Sequence, residues 1–197
     1  YAPQAGRDYN TVDMSERWLR EFYLPPYKAA VDAGARTVMA SFNELDGTPA
    51  SANRHLLTGI LRDEWGFDGL VVSDYTGIME MTFHGTARDT CQAGVQALEA
   101  GLDMDMMSAA FYNYLKGSIG RGEIKMSVVD EAVRRILRVK AELGLFDDPF
   151  RYCDEERERT ETRTPEKLEL ALRMAEESAV LLKNDGILPQ IGRASCR

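Results

Sequence analysis

Gly69-Leu70-Val71-Val72-Ser73-Asp74-Tyr75-Thr76-Gly77 is a short apolar run that ends on a carboxylate. Leu70, Val71 and Val72 read as a strand buried on both faces, because three apolar residues in succession, two of them β-branched, leave no polar face. Ser73 and Asp74 stop the run and Gly77 breaks it, so a carboxylate sits where a buried strand leaves the core. In parallel α/β folds that end of a strand carries the chemistry. Asp is a poor strand residue. On position alone, a cap on the following turn is an equal explanation for Asp74.

The flanking sequence adds weight to the first explanation. Thr37-Val38-Met39-Ala40-Ser41-Phe42 is a second strand-like run, followed by the polar stretch Asn43-Glu44-Leu45-Asp46-Gly47-Thr48-Pro49, which reads as a loop. Asn53 then offers an N-cap, Leu56, Leu57, Ile60 and Leu61 recur at helical spacing, and Gly66 supplies a left-handed stop. A second helix is predicted from Thr90 to Ala100 with Gly101 closing it. Leu102-Asp103-Met104-Asp105-Met106 is a third strand candidate. Strand, helix, strand, helix, strand at this spacing implies βα units and a parallel sheet whose strand C-termini share one face. Phe42, Asp74 and Asp105 then converge on a common rim, an aromatic and two acids on three successive strand ends.

Several of these stretches together resemble glycoside hydrolase family 3, the family of β-glucosidases and related exo-acting enzymes. The resemblance rests on Met39-Ala40-Ser41-Phe42-Asn43 with Asp46-Gly47, on Leu61-Arg62-Asp63-Glu64-Trp65-Gly66-Phe67-Asp68-Gly69, and on Val71-Val72-Ser73-Asp74-Tyr75. It continues through Ala100-Gly101-Leu102-Asp103-Met104-Asp105-Met106 and Glu177-Ser178-Ala179-Val180-Leu181-Leu182-Lys183-Asn184-Asp185-Gly186-Ile187-Leu188-Pro189. The motifs run from about Arg7 to Pro189 in the family's order, most like its bacterial, periplasmic-type β-glucosidases.

The resemblance implies an α/β architecture: a (β/α)8-type barrel followed by an α/β sandwich domain. Residues 1–146 map onto the C-terminal part of the barrel, 147–163 onto the interdomain linker and 164–190 onto the start of the sandwich. Residues 191–197 depart from the family pattern, where a further apolar strand is expected, and stay unassigned. On this mapping the chain is a fragment, and the remainder of its own chain is its main partner.

The resemblance also implies a retaining mechanism, in which two carboxyl groups about 5 Å apart flank the glycosidic bond. Asp74 matches the family's nucleophile. Phe42 stands where many members carry an aromatic or apolar residue against the −1 sugar, and Tyr75 where many carry Trp. The family's acid/base glutamate falls beyond residue 189; the Lys-His pair and the arginine that hold sugar hydroxyls fall before Tyr1. The implied substrate is a small oligosaccharide or aryl β-glycoside, with no cofactor and no metal, and the implied location periplasmic or secreted. Alternatives within the family are β-xylosidase and N-acetylglucosaminidase. The latter branch needs a His/Asp pair after barrel strand five, where Tyr1 to Thr11 offers Arg7 and Asp8 but no histidine. A non-catalytic carbohydrate-binding domain on the same fold is a third alternative, opposed by the intact Asp74.

The remaining sequence is consistent with this division. Residues 15–33 carry helical periodicity with Ser15 as N-cap and Gly34 as stop, and Pro25-Pro26 must break it. Ser127 with Asp130 opens a helix whose face is traced by Val129, Val133, Ile136, Val139, Lys140 and Leu143, with Gly144 ending it. The charges from Asp154 to Arg163 read as a solvated linker. Thr164-Pro165 starts another helix with Leu168, Leu172, Ala175 and Ala179 inward, and Val180-Leu181-Leu182 reads as a strand. A formal charge of −8 argues against a nucleic-acid partner, and no stretch has the apolar length to cross a membrane. Cys91, Cys153 and Cys196 show neither a disulfide framework nor a zinc pattern. His55 and His84 read as surface or cap residues. Arg7 borders the pocket or forms a loop ion pair, and Asp46, Asp103 and Asp105 read as acids near strand ends that are mainly structural or stand behind the site, capping helices or orienting ligands.

Overall fold

The computed structural model describes residues 3–7, 9–186, 188 and 189. Asp8 and the tail 191–197, with Cys196, lie outside the described residues. The chain divides into two units, Tyr1–Pro149 and Phe150–Arg197.

In the first unit, helix α1 (Glu16–Trp18) is capped by Ser15, whose hydroxyl accepts the Trp18 amide at 3.2 Å. It continues as a π-type turn, Leu19–Tyr23, with the Leu24 amide reaching the Leu19 carbonyl. The two prolines end that turn and occupy the first positions of α2 (Pro25–Asp32), where a missing amide donor costs nothing. Strand β1 (Thr37–Met39) follows. The stretch 43–49, expected as a loop, is instead a tight hairpin of β2 (Glu44–Leu45) and β3 (Thr48–Pro49). Asp46 and Gly47 at its tip have φ of 50° and 74°, the doubly left-handed pair that a two-residue hairpin turn requires. The π-type helix His55–Glu64 leads into β4 (Leu70–Val72). Asn53 caps that helix as expected, its side-chain oxygen accepting the Leu56 amide at 3.1 Å, and Gly66 closes it at φ 69°. Helices α3 (Gly77–Glu80), α4 (Thr90–Ala100), α5 (Ala110–Gly120) and α6 (Met126–Glu142) complete the unit.

Strands β1 and β4 are parallel, with Val38 opposite Val71. The amides of Leu70 and Ala40 extend the ladder by bonding to the carbonyls of Arg36 and Val72. The third strand candidate, Leu102–Met106, makes only one parallel bridge, Val72 to Met104. Its ladder is cut short because the Asp103 carboxylate takes the Val71 amide at 2.8 Å, where a parallel strand would set a carbonyl.

The sheet is also more open than the sequence suggests. Val71 and Ser73 are fully buried, but Leu70 and Val72 on the other face are only half-buried. Met39 and Met104 are about half exposed. The covered face packs Ala40 and Val71 against Leu57, Leu61, Phe67, Ala93, Ala97 and Leu102. Full burial of a side chain such as Val71 is worth roughly 1.5–3 kcal/mol. The close approach of β4 to β1 depends on Gly69: a Cβ there would meet the Arg36 carbonyl oxygen at 2.2 Å and the Phe67 ring at 2.7 Å.

Helix α6 starts one residue before Ser127 and makes no side-chain cap with it. Its buried contacts are Ala132 and Val139, whereas Val133 and Leu143 are somewhat under half exposed. The real face is offset from the expected one because Arg135 and Arg138, rather than apolar side chains, reach the acids at the base of the sheet.

In the second unit the charge-dense run is partly helical: α7 (Glu155–Glu161) is capped by Asp154, which accepts the Arg157 amide at 2.9 Å. Thr164 caps α8 (Pro165–Ser178), with Pro165 in its first position as expected. None of the unit's described residues is buried. Leu168 and Leu172, expected on an inner face, are more than half exposed. Val180–Leu182 forms no strand, since a strand exists only through a ladder partner and the described residues offer none there.

Candidate active site

Strand alternation sets Asp74 on the same face as Leu70 and Val72, while Val71 and Ser73 turn into the core. Two anchors hold the backbone around it. Before Asp74, the Ser73 amide donates to the Met104 carbonyl and the Ser73 hydroxyl accepts the Met106 amide, both at 2.9 Å. After it, the Thr76 amide donates to the Met106 carbonyl at 2.8 Å. Asp74 is half-buried, and its Oδ1 accepts the Tyr75 amide at 2.7 Å. Its carbonyl accepts the Gly77 amide at 3.0 Å, which closes the turn into α3.

This turn is strained. Thr76 has φ 59°, a left-handed conformation that a β-branched residue adopts at a cost. Its hydroxyl lies 2.6 Å from the Tyr75 carbonyl oxygen and 2.7 Å from Glu80 Oε1, contacts that hold the conformation. Met107 and Ala109, on the adjoining loop, are also left-handed at φ 67° and 53°. Non-glycine residues forced into this region gather at functional sites.

Phe42 is brought to the same turn. A Cβ placed on Gly77 would lie 3.8 Å from Asp74 Cβ and 3.9 Å from Phe42 Cδ1. Tyr75, the next residue, is 55% exposed. Tyr9, which the sequence did not single out, stacks on Phe42 with ring centroids 4.4 Å apart. The segment that carries it is fastened to the hairpin: Asn43 Nδ2 donates to the Asn10 carbonyl at 2.9 Å and the Val12 amide to the Glu44 carbonyl at 3.0 Å. Glu44 is a hub, since its carboxylate also receives the Thr11 hydroxyl and lies 3.3 Å from His84 Nδ1. His84 is therefore not a surface residue, being only 13% exposed in its side chain. Glu44 and His84 are 40 residues apart, and no local pattern announces such a contact. His55 is exposed and pairs with Glu16 at 3.1 Å. Arg7 is exposed beside the short 3–10 turn Gln4–Gly6.

The other strand-end acids are occupied. Asp105, expected at a common rim with Asp74, is engaged in capping: its carboxylate accepts the amides of Ser108, Ala110 and Phe111 at the start of α5. Asp46 serves the hairpin tip. The Asp103 side chain is fully buried, bonded to Arg62 at 2.7 Å and to Arg135 at 2.9 Å. Burial pulls the pKa of the Arg62 guanidinium down, with Asp103 opposing. Cys91 is packed in α4 against the Ser118 hydroxyl at 3.3 Å. Among the described residues no three His, Cys, Asp or Glu side chains gather closely enough to hold a metal, and no helix is long and apolar enough to cross a membrane. An apolar cavity of about 350 Å³ lies between α2, β1 and the His55–Glu64 helix, lined by Tyr27, Val38, Leu57 and Trp65 and not by Asp74.

A strand end that holds a carboxylate beside Phe42 is the position at which α/β units carry catalytic residues. Comparison with known proteins identifies the family. The profile described as the glycosyl hydrolase family 3 N-terminal domain matches residues 2–139. A periplasmic β-glucosidase of Salmonella typhimurium is 45% identical over 93% of this chain and 24% of its own length. A β-xylosidase of Formosa agariphila is 44% identical over 89% of this chain and 25% of its own. The crystal structure of a β-glucosidase from Listeria innocua superimposes with a TM-score of 0.83 and 44% identity, over 96% of this chain and 26% of that one. The chain belongs to glycosyl hydrolase family 3. It spans about a quarter of the length of the curated relatives it matches.

Proposed function

We propose that this chain carries the nucleophile side of the active site of a retaining, exo-acting β-glycosidase of β-glucosidase type, with Asp74 as the nucleophile. The observation that carries this reading is the placement of Asp74: a half-buried carboxylate at a strand end, fixed on both sides by the Met104–Met106 backbone and set beside Phe42. Rigid placement of this kind holds a nucleophile in line with its target.

In the first step an Asp74 oxygen attacks the anomeric carbon as the bond to the leaving oxygen breaks, and an acid group protonates that oxygen. The bond of Oδ1 to the Tyr75 amide restrains the carboxylate's rotation and leaves Oδ2 as the oxygen proposed to attack. In the second step the same acid group, now a base, takes a proton from water, which attacks the anomeric carbon and releases Asp74. Phe42 and Tyr75 form the aromatic wall of the sugar site. The proposed acid/base is a glutamate of a second domain beyond residue 189.

The wider arrangement is proposed with it. Residues 1–146 form the last part of a (β/α)8-type barrel, 147–163 the linker and 164–190 the start of an α/β sandwich. The half-open sheet face of Leu70, Val72, Met39 and Met104 is consistent with the inner face of such a barrel, packed by the remaining strands' side chains. The remaining sugar contacts belong to the rest of the same polypeptide. A small oligosaccharide or aryl β-glycoside is the proposed substrate; the Listeria innocua β-glucosidase, 44% identical, has been crystallised in complex with glucose. A periplasmic or secreted location is proposed from the Salmonella typhimurium relative. β-Xylosidase activity is the second reading, favoured by the identity to the Formosa agariphila enzyme.

The test is covalent trapping in the full-length protein. A 2-deoxy-2-fluoro-β-glucoside is expected to label Asp74, read by mass on the peptide that contains it. Label on Asp103 or Asp105 overturns the assignment, and faster turnover of aryl β-xyloside than of aryl β-glucoside selects the second reading.

A further inference from the structure

We propose that Asp103, clasped by Arg62 and Arg135, is a positioning residue for Asp74; the inference rests on the reading of Asp74 as nucleophile. The segment Asp103–Met106 runs beside the strand end and divides its work by alternation. The backbones of Met104 and Met106 hold Ser73 and Thr76, the residues that bracket Asp74 and Tyr75. The side chains of Asp103 and Asp105 fasten the segment to the rest of the fold. Asp105 does so at the start of α5. Asp103 does so through three bonds: Oδ2 to Arg62 Nη2 at 2.7 Å and to the Val71 amide at 2.8 Å, and Oδ1 to Arg135 Nη1 at 2.9 Å. The Asp103 and Met104 amides return to the Val71 carbonyl at 2.8 and 3.1 Å.

Stability alone does not call for this construction. A buried ion pair is commonly matched or bettered by apolar residues of similar volume. An ordinary ladder carbonyl would also satisfy the Val71 amide. What the clasp adds is definition: a carboxylate gripped from α6 and from the His55–Glu64 helix fixes the register of the strap against β4. Arg62 shares its guanidinium with the carbonyls of Gly69 at 3.1 Å and Gly101 at 3.0 Å, which are the entrances to β4 and to the strap. One side chain thus sets both segments that meet at Asp74.

The experiment compares variants of the full-length protein. Arg135→Gln releases Asp103 Oδ1 and leaves Arg62 in place. Arg36→Gln is the matched control, because Arg36 also holds α6, through Glu142 at 2.7 Å, without touching Asp103. At a temperature where circular dichroism shows both folded, R135Q is expected to lower kcat on an activated aryl β-glycoside, and the rate of fluoroglycoside labelling, by roughly 10–100-fold, with KM within about twofold. R36Q is expected to keep wild-type kcat, and Arg135→Lys to recover most of the loss. Wild-type kcat in folded R135Q, or an equal loss in R36Q, overturns the proposal. Asp103→Asn is expected to lose at least as much as R135Q; if it does not fold, R135Q and R135K decide. Hydrogen exchange of the Val71–Thr76 amides separates this inference from the functional one. If wild-type protein is not labelled at Asp74, the nucleophile assignment fails by itself. Faster exchange there in R135Q than in R36Q still supports the strap, and unchanged exchange overturns it.

Discussion

The rings of Tyr9 and Phe42 stack with centroids 4.4 Å apart and planes inclined by 29°. The two residues come from opposite sides of β1 in sequence, and their contact draws the segment before α1 to the mouth of the proposed sugar site. Phe42 in turn approaches the Gly77 turn that carries Asp74. The proposed aromatic wall is therefore paired, with Tyr9 stacked on the residue proposed to face the sugar.

Truncating Phe42 is expected to cost more than truncating Tyr9. Phe42→Ala in the full-length protein should lower kcat/KM by roughly 10–100-fold, as expected for a lost wall of a substrate pocket worth about 1.5–3 kcal/mol. Tyr9→Leu should lose only the ring–ring contact, about 0.5–1.5 kcal/mol. Steady-state kinetics on an aryl β-glucoside checks the order, and a larger loss in the Tyr9 variant would contradict it.

Asp74→Asn keeps the shape of the side chain and the contact with the Tyr75 amide but removes the nucleophile. The barrier to hydrolysis is expected to rise by several kcal/mol. The melting temperature should stay close to wild type, because Asp74 makes no buried ion pair among the described residues. Parallel activity and thermal-melt measurements check both halves.

Double displacement retains configuration. Proton NMR of the first product from a β-glycoside should show the β-anomer before mutarotation. An initial α-anomer would exclude Asp74 as a nucleophile.

Residues 1–197 expressed alone are expected to show no measurable β-glucosidase activity, since protonation of the leaving group is worth roughly 10²–10⁴-fold and the proposed acid lies beyond residue 189. An activated aryl β-glucoside is the strictest substrate for this test, because its leaving group needs little acid help. Turnover close to that of a complete family enzyme would mean that these residues hold a full site.

Acid should loosen the fold through its surface carboxylates. Hydrogen bonds from Arg121 hold the Glu123 pKa down at about 2, from an ordinary 4.5. Arg20 lowers that of Glu64, and Arg36 that of Asp68. A depressed folded-state pKa gives stability that is present above the unfolded value and lost as pH falls through the folded one. The melting temperature is thus expected to be flat above about pH 5 and to fall between about pH 4.5 and 2. These groups are solvent-exposed, so the fall should shrink in high salt. A salt-independent fall would place its origin elsewhere.

Much of the first unit was legible because its signals are local. Caps at Ser15 and Asn53, stops at Gly66 and Gly101, and the β-branched run at Val71 each act within a few residues, and each falls where the sequence puts it. The continuous apolar run of β4 did not tell its covered face from its open one, since Leu70 and Val72 are as apolar as Val71. What was not legible depends on distance or on partners. His84 finds Glu44, and Tyr9 finds Phe42, only through the folded chain. The third strand fails because a side chain, Asp103, outcompetes a backbone carbonyl for the Val71 amide. The hairpin at Asp46-Gly47 is the exception, since its two-residue turn is written in the sequence although the polar stretch around it reads as a loop. In the second unit the amphipathic pattern of α8 is real, but a pattern only states which face is apolar and not what covers it.

Gly69 sits five residues before Asp74 and does no chemistry, yet even an added methyl group would collide with the Arg36 backbone. A survey of every substitution in this region would therefore score positions 69 and 74 as equally intolerant, for opposite reasons. At 74 the protein would persist without its activity. At 69 it would fail to assemble, and activity would vanish as a by-product. Abundance measured beside turnover tells the two apart, and without it a spacing constraint between two strands would be mistaken for part of the reaction.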